Sequence, residues 1–321
     1  MVKIYISNAH YGSTDGSVKT RLIEKGWLVF PNPYHRLLSE QELANWAKDA
    51  TAIITATEPL TQLVQQSNTL KLIVKIGVGV DNIPFELCRE KKIAIAYTPD
   101  AVTNAAAELA ITEILCLLRN IPQANHNMHS GGWQRLLGRE INEVVIGIIG
   151  WGRIGQRVTK LLHAFQPKKI IINDIINHQA KIKHWQDSGL NIIQTKLDEL
   201  LTKSDIITLH ADLNPSSLYL INKKTLSLMK KSALLVNMAR GKLVNEKHLV
   251  DALSHKKIAG IALDVFEKEP YLGKFKKFPQ ALLTSHMGSF TKRARYLMDQ
   301  EATIEVINFF TNQPLVNPID K

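Results

Sequence analysis

From Val2 to about Pro99, apolar runs of strand length alternate with stretches whose apolar positions recur at helical spacing. The runs predict strands over residues 2–6, 27–30, 52–55, 70–75 and 93–96. Between the second and third stands Ser39-Glu40-Gln41-Glu42. There Ser39 and Glu42 can cap a helix reciprocally, and Leu43 and Trp46 supply its apolar face. Strands alternating with helices at this spacing need crossover connections, so the pattern predicts an open parallel sheet wrapped by helices.

A longer helical pattern follows Thr98-Pro99, carrying Val102, Ala106, Leu109, Ala110, Ile114, Leu117 and Leu118. It is expected to end near Pro122 and to bridge into a second domain. Residues 123–142 are less periodic and read as an arm rather than core. Further strands are expected from Val144 to the glycine at 150, up to Asp174, and over 206–210, 234–237, 258–263 and 282–284. A last helix over 291–310 is apolar at Leu297, Ile304, Ile307 and Phe310. About a hundred residues precede the second domain and about thirty follow it. The last helix is therefore expected to return to the first domain, making the second an insertion with a cleft between the two bodies. The fold class is α/β, two doubly wound parallel-sheet domains, with no internal repeat and no low-complexity segment.

The chain is organised around Val144-Val145-Ile146-Gly147-Ile148-Ile149-Gly150-Trp151-Gly152-Arg153-Ile154-Gly155. An apolar run too short for a helix ends in glycine, and Val158, Leu161, Leu162 and Phe165 follow at helical spacing, which reads as strand, tight turn, helix. Gly150 permits the turn, Gly152 lets the backbone approach a pyrophosphate, and Gly155 lets helix and strand pack closely. The N–H groups at the helix start attract the phosphate charge. Such a glycine pattern also serves packing alone. The next apolar run, however, ends at Asp174, nineteen residues past Gly155, where a carboxylate accepts hydrogen bonds from ribose hydroxyls and repels a 2′-phosphate. The pattern reads as a dinucleotide cradle that favours NAD over NADP.

With 321 residues, 45% hydrophobic and 21% charged, the chain has room for two globular domains. Cys88 and Cys116 sit in apolar helical patterns without metal-ligand or redox spacing, and read as buried thiols of a reducing compartment. The first apolar run reads as a strand rather than a signal peptide, and no run reaches the roughly 18 residues of a membrane span. A cytoplasmic location and no membrane partner are expected. The net charge of +11 is compatible with nucleic acid, a membrane surface or small anions, and equally with a solvated basic surface. Its densest run, Lys274-Phe275-Lys276-Lys277-Phe278 between Gly273 and Pro279, reads as a surface loop, and no nucleic-acid-binding module accompanies it.

Past the cradle, three ionisable residues fall at what should be the carboxyl edge of the second sheet, where open α/β sheets bind ligands. They are Arg240 in Asn237-Met238-Ala239-Arg240-Gly241, Glu269 in Asp264-Val265-Phe266-Glu267-Lys268-Glu269-Pro270, and His286 in Thr284-Ser285-His286-Met287-Gly288. Singly, each has an ordinary reading: an arginine pairing a surface carboxylate, a solvated glutamate, a satisfied polar histidine. In this order behind a cradle they are no longer independent. A planar guanidinium matches a 2-hydroxy or 2-keto carboxylate. An imidazole titrates near neutral pH, and a carboxylate beside it fixes its tautomer and stabilises its charged form.

These motifs resemble the D-isomer-specific 2-hydroxyacid dehydrogenases, and within them the phosphoglycerate dehydrogenase branch. The likeness also takes in Gly77-Val78-Gly79-Val80-Asp81-Asn82-Ile83, Thr98-Pro99, Ala107-Glu108 and Ala262-Leu263-Asp264-Val265-Phe266. It implies a flavodoxin-like substrate domain, residues 1–99 plus 289–321, and an inserted Rossmann NAD-binding domain, residues 100–288. In the family, the Arg240 position clamps the substrate carboxylate and carbonyl, the His286 position moves the proton, and the Glu269 position orients that imidazole. The Asp264 position holds the nicotinamide carboxamide. Val78, Gly150, Gly152, Arg153, Ile154, Gly155, Asp174, His210, Ala211, Met238, Ala239, Arg240, His286 and Gly288 line the cofactor. Val78 and Gly79 also reach the substrate. The resemblance implies NAD-dependent redox chemistry on a short, anionic D-2-hydroxy or 2-keto acid in a homodimer, with no metal. The leading pair is 3-phosphoglycerate and 3-phosphohydroxypyruvate. Hydroxypyruvate or glyoxylate reduction is the nearest alternative.

The chain departs from the family in places. Ser285 stands where proline usually precedes the histidine, and Ala211-Asp212 follows His210 where a proline is common. Lys75 replaces an arginine frequent in the phosphoglycerate branch, and Arg295 stands where that branch often has glutamine. Lys75 and Arg295 could together bind a second anionic group, with Arg135 added from a partner subunit; alternatively, Arg293 and Arg295 are exposed on the first turns of a helix. The chain ends soon after the returning helix, so feedback control by serine through a C-terminal extension is not expected. Formate dehydrogenases of this fold carry glutamine at the Glu269 position. The C-terminal-binding corepressors, NAD-sensing interaction modules on the same scaffold, are the reading from another class. The absence of long disordered flanks argues against it.

Overall fold

The computed structural model describes residues 1–319; residues 320 and 321 of the expected substrate domain lie outside the described residues. The chain divides into two compact units, Met1–Val102 with the chain from Ser289 onward, and Thr103–Gly288.

The first unit is a five-stranded sheet of β1 (Lys3–Ile6), β2 (Leu28–Pro31), β3 (Ala52–Thr55), β4 (Leu72–Lys75) and β5 (Ala94–Tyr97). Its order is β2-β1-β3-β4-β5 and every pairing is parallel. The central strands are buried along their whole length because helices cover both faces, which is why they read as unbroken apolar runs. In the helix Glu40–Trp46, Ser39 Oγ accepts from Glu42 N at 3.3 Å and Glu42 Oε2 accepts from Ser39 N at 2.9 Å, closing the expected capping box. Leu43 packs with Ile53, Leu63, Ile73 and Ile95 beneath it.

The helix Lys292–Phe310 belongs to this unit, but its buried face is not the expected one. Ile304 is exposed and Leu297, Ile307 and Phe310 are only half-buried, while Arg295, Asp299, Thr303 and Glu305 are buried among Ala294, Met298, Ala302 and Val306. Asp299, Thr303 and Glu305 are tolerated there because they are hydrogen-bonded. Asp299 Oδ2 accepts from Gly12 N at 2.8 Å, Thr303 Oγ1 bonds the Tyr11 hydroxyl, and Glu305 accepts from Val316 N and Asn317 N.

The second unit holds β6 (Val145–Ile149), β7 (Lys169–Asn173), β8 (Ile192–Gln194), β9 (Ile206–Leu209), β10 (Leu234–Asn237), β11 (Gly260–Leu263) and β12 (Ala281–Leu283). The order is β12-β11-β10-β9-β6-β7-β8, again all parallel. The strand order therefore reverses between β6 and β9, creating a crevice at their carboxyl ends. The three-residue edge strand β8 is absent from the sequence expectation because an apolar pair between Asn191 and Gln194 is too short to show a period.

Pro122 does not end the bridging helix. That helix spans Thr103–Leu118, and Pro122 sits in the first turn of a second helix, Ile121–His129, where its missing N–H has no partner to lose. None of that helix is buried, and the stretch after it exposes Trp133 and Leu137. The basic run around 274 is a short 3₁₀ turn, Lys274–Lys277, rather than a free loop; it buries Phe275 and exposes its lysines. Among the described residues no helix is long and apolar enough to cross a membrane, and Cys88 and Cys116 are free thiols.

Asp205 fastens the amino edge of this sheet, accepting from Val145 N and Lys230 Nζ, each at 2.9 Å. Burial pushes its pKa up, but those donors and the nearby Arg139 outweigh it and hold it below the ordinary value. Asp205→Asn is expected to cost about 1.5–3 kcal/mol at neutral pH, the range for a hydrogen bond to a charged group. Because the folded pKa is depressed, the contribution is complete above the ordinary aspartate value and lost as pH falls through the lowered one. Urea unfolding of both proteins across acid pH should therefore show the gap closing, and a pH-independent gap would count against the charged contact.

Candidate active site

The turn after β6 lies at the crevice. Gly150 has φ +85°, a conformation side chains rarely adopt, and a Cβ there would lie 2.4 Å from Ala211 N beyond β9. Gly152 precedes the helix Arg153–His163, its missing side chain leaves open space, and no side chain caps the helix start. A Cβ at Gly155 would lie 2.3 Å from Gly150 O, so helix and turn are in direct backbone contact. Arg153 is exposed and Ile154 half-buried on the first turn. Asp174 stands at the end of β7, where Oδ2 accepts from Trp151 N at 2.6 Å and Oδ1 from Ile176 N at 2.9 Å. Trp151 is wholly buried and its indole N–H donates to Thr159 Oγ1 at 2.8 Å. It ties the glycine turn to the acid, a role that a large residue inside a glycine motif signals and that sequence reasoning passed over. An open helix start, a backbone accessible at Gly152 and a carboxylate on the neighbouring strand fit a dinucleotide.

His210 closes the other wall of the crevice. Its Nε2 lies 2.9 Å from Thr208 Oγ1, and burial lowers its pKa to about 4, so the ring is neutral at physiological pH.

Three turns carry the ionisable residues. After β10, Asn237 folds the chain back on itself, accepting from Ala239 N at 3.1 Å and donating to Arg240 O at 2.9 Å. Arg240 Nη1 donates to Ala239 O, and Met238 is buried beneath. A Cβ at Gly241 would lie 1.9 Å from the carbonyl carbon of Phe266, so only glycine allows this turn to abut the one after β11. That second turn carries Glu269, whose Oε1 accepts from Phe266 N at 3.0 Å and which is joined to Pro270 by a cis bond. The third, after β12, carries His286 in a left-handed conformation, φ +53°.

Glu269 Oε2 and His286 Nδ1 are 2.7 Å apart. Burial pushes the Glu269 pKa up, but the hydrogen bond and charge of His286, the Phe266 N–H and the Arg240 charge together hold it below the usual glutamate value. Asp264 anchors the third turn: its backbone oxygen accepts from His286 N, Oδ1 from Met287 N, and Oδ2 from Gly288 N, each at 2.8 Å. The structure thus brings Arg240, Glu269, His286 and Asp264 together in one unit. Asn237 and Thr284 support them and were not singled out from the sequence, although both lie inside the motifs.

Lys75, Val78, Gly79 and Arg295 belong to the other unit. Lys75 ends β4, where Nζ donates to Ile76 O at 2.9 Å, and Val78 and Gly79 are half-buried in the turn beyond it. Arg295 is not exposed on its helix. It is buried with Nη2 3.3 Å from Asn8 Oδ1 and 3.4 Å from Asp299 Oδ1, while Arg293 faces solvent.

The sequence pattern of the D-isomer specific 2-hydroxyacid dehydrogenase NAD binding domain matches residues 111–288. A D-3-phosphoglycerate dehydrogenase of Methanocaldococcus jannaschii is 36% identical over 80% of this chain, which spans 49% of that protein. A putative 2-hydroxyacid dehydrogenase of Staphylococcus epidermidis is 34% identical over 99% of this chain and 100% of its own length. The crystal structure of a glyoxylate reductase from Paecilomyes thermophila superposes with a TM-score of 0.87 at 26% identity, covering 99% of this chain and 98% of that one. The chain therefore spans about half the length of the phosphoglycerate dehydrogenase and essentially the whole of the other two.

The geometry of the Glu269–His286 pair has a direct test. In His286→Asn, burial still disfavours the carboxylate while its main counterweight is gone, so the Glu269 pKa should rise. NMR titration of the labelled Glu269 carboxyl would register it, and an unchanged value would mean that the pair does not form in solution.

Proposed function

The chain belongs to the D-isomer specific 2-hydroxyacid dehydrogenase family, and on that premise we propose that it interconverts a short D-2-hydroxy acid and its 2-keto acid, favouring 3-phosphoglycerate and 3-phosphohydroxypyruvate. The observation that carries this reading is the 2.7 Å contact of His286 with a carboxylate that also feels the Arg240 charge. NAD, held by the turn Gly150 to Gly155 and by Asp174, supplies the hydride-transfer capacity. Val78, His210, Ala211, Met238, Ala239, Asp264 and Gly288 complete the proposed cofactor lining. Thr103–Gly288 is the proposed NAD-binding domain, and Met1–Val102 with the chain from Ser289 is the proposed substrate domain.

Each role follows from chemistry. The Arg240 fork binds the substrate carboxylate through parallel hydrogen bonds and polarises the 2-keto oxygen. His286 gives a proton to that oxygen during reduction and removes it from the hydroxyl during oxidation. Glu269 accepts from Nδ1, which leaves Nε2 as the atom that exchanges the proton, and stabilises the imidazolium that oxidation forms. Lys75 and Arg295 are the proposed second anion site, for a substrate phosphate or carboxylate. Glyoxylate or hydroxypyruvate reduction is the second reading. It is favoured by Asp299, 3.4 Å from the Arg295 guanidinium, which already offsets part of that charge. A homodimer is the proposed assembly, supported by Trp133 and Leu137, 79% and 98% exposed beside the unburied helix Ile121–His129. The two free thiols support the cytoplasm as its compartment.

Replacing His286 by Asn should lower kcat by about 10²–10⁴, the usual worth of a positioned acid or base. Arg240→Lys should lower kcat/KM because the planar fork is lost. A steady-state panel with NADH should rank phosphohydroxypyruvate above hydroxypyruvate, glyoxylate and pyruvate; a ranking led by glyoxylate would select the second reading. Arg295→Ala should cost more with the phosphorylated keto acid than with hydroxypyruvate, and equal losses would remove the phosphate site.

A further inference from the structure

The helix Thr103–Leu118 buries one acidic side chain among apolar ones. Glu113 is 0% exposed and shares its buried face with Ala110, Ile114 and Leu117. Its Oε1 lies 3.1 Å from Thr284 Oγ1, and its Oε2 has no partner among the described residues. The same Thr284 oxygen lies 2.7 Å from Asp264 Oδ1. A hydroxyl has one proton and cannot donate to two carboxylates at once, so one of these contacts needs a proton from the acid side. Asp264 already takes backbone N–H groups on both of its oxygens, which suits the ionised form. The remaining proton belongs to Glu113.

We propose that Glu113 is a positioning residue held as the neutral acid: it donates to the Thr284 hydroxyl, Thr284 donates to Asp264, and this ordered chain locks the turn that presents His286. The inference rests on the dehydrogenase reading for its consequence, but not for the protonation it asserts. Burial first, and the Asp264 charge second, raise the Glu113 pKa to about 8, which agrees with the proton count. The groups facing it are Asp264 beyond β11, Thr284 beyond β12 and the Cys116 thiol on its own helix. From the packed helix Arg153–His163, Val158 and Leu162 enter the shared apolar cluster. Above about pH 8 the acid ionises, two negative charges flank one hydroxyl, and the turn loosens.

Glu113→Gln keeps a neutral donor of the same shape and is the informative variant. In cofactor-free protein at neutral pH, infrared difference spectra of wild type against this variant should show the C=O stretch of a buried protonated acid, fading as pH passes about 8. The folded pKa is raised, so between 4.5 and about 8 the native state holds an extra proton here, and stability falls as pH rises through that window. The Tm of wild type should therefore decline more steeply over this range than that of Glu113→Gln. In turnover, the variant should keep kcat/KM within about twofold and lose the alkaline decline, whereas Thr284→Val should lower kcat roughly tenfold, as for one hydrogen bond to a charge. A missing infrared band, or parallel Tm profiles, overturns the neutral acid whatever reaction the protein catalyses. An alkaline limb unchanged in Glu113→Gln overturns its link to His286.

Discussion

One buried carboxylate sets the register of the whole candidate site. Asp264 receives the N–H groups of Met287 and Gly288, its backbone oxygen receives that of His286, and its own N–H donates to Asn237 O at the end of β10. Two turns are thereby referred to a single residue, the one carrying Arg240 through Asn237 and the one carrying His286. Charge-assisted hydrogen bonds of this kind are stronger than neutral ones, and in a dry setting they fix direction as well as distance. The left-handed backbone at His286 is uncommon for a residue with a side chain, and here its surroundings determine it. The bonds to Asp264 supply that determination, and the abutment of Gly241 against Phe266 leaves the neighbouring turn no room to drift.

Much of this was legible in the residues. The strand over 52–55 coincides with β3 to the residue, because a parallel strand covered on both faces is an unbroken apolar run. The glycine turn, Asp174 and the three ionisable residues were each visible as short motifs, and the structure brings Arg240, Glu269 and His286 together. The failures share a cause: apolar periodicity cannot register a polar group that folding buries among apolar ones. It missed the Arg295, Asp299, Thr303 and Glu305 stripe for that reason, and it passed over Glu113, an acid at an apolar position of a buried helix. Pro122 misled in the opposite sense, since proline both ends helices and begins them.

The two units grow from the same alternating pattern, yet the glycine turn that opens directly onto the uncapped helix Arg153–His163 belongs to the second. In the first, the turn after β4 holds Gly77 at φ +102° with its N–H committed to Thr98 Oγ1 at 2.8 Å. The second places a capless helix start directly after its glycines, with an acid on the adjacent strand and β9 on the other side of the reversal in strand order. Related parallel-sheet architectures therefore yield different chemistry according to where glycine lets the chain turn and how directly an uncapped helix follows.

The first unit is discontinuous: its sheet lies near the beginning of the chain, while the helix Lys292–Phe310 that packs on β4 and β5 lies near the end. Its β5 edge is pinned by bonds from Tyr97 N to Asn317 O and from Ile319 N to Ile95 O. During synthesis the ribosome delivers every residue of Thr103–Gly288 before any of these. The unit encoded second is thus the first whose residues are all available to reach the native state, while β4 and β5 must wait for the helix that covers them.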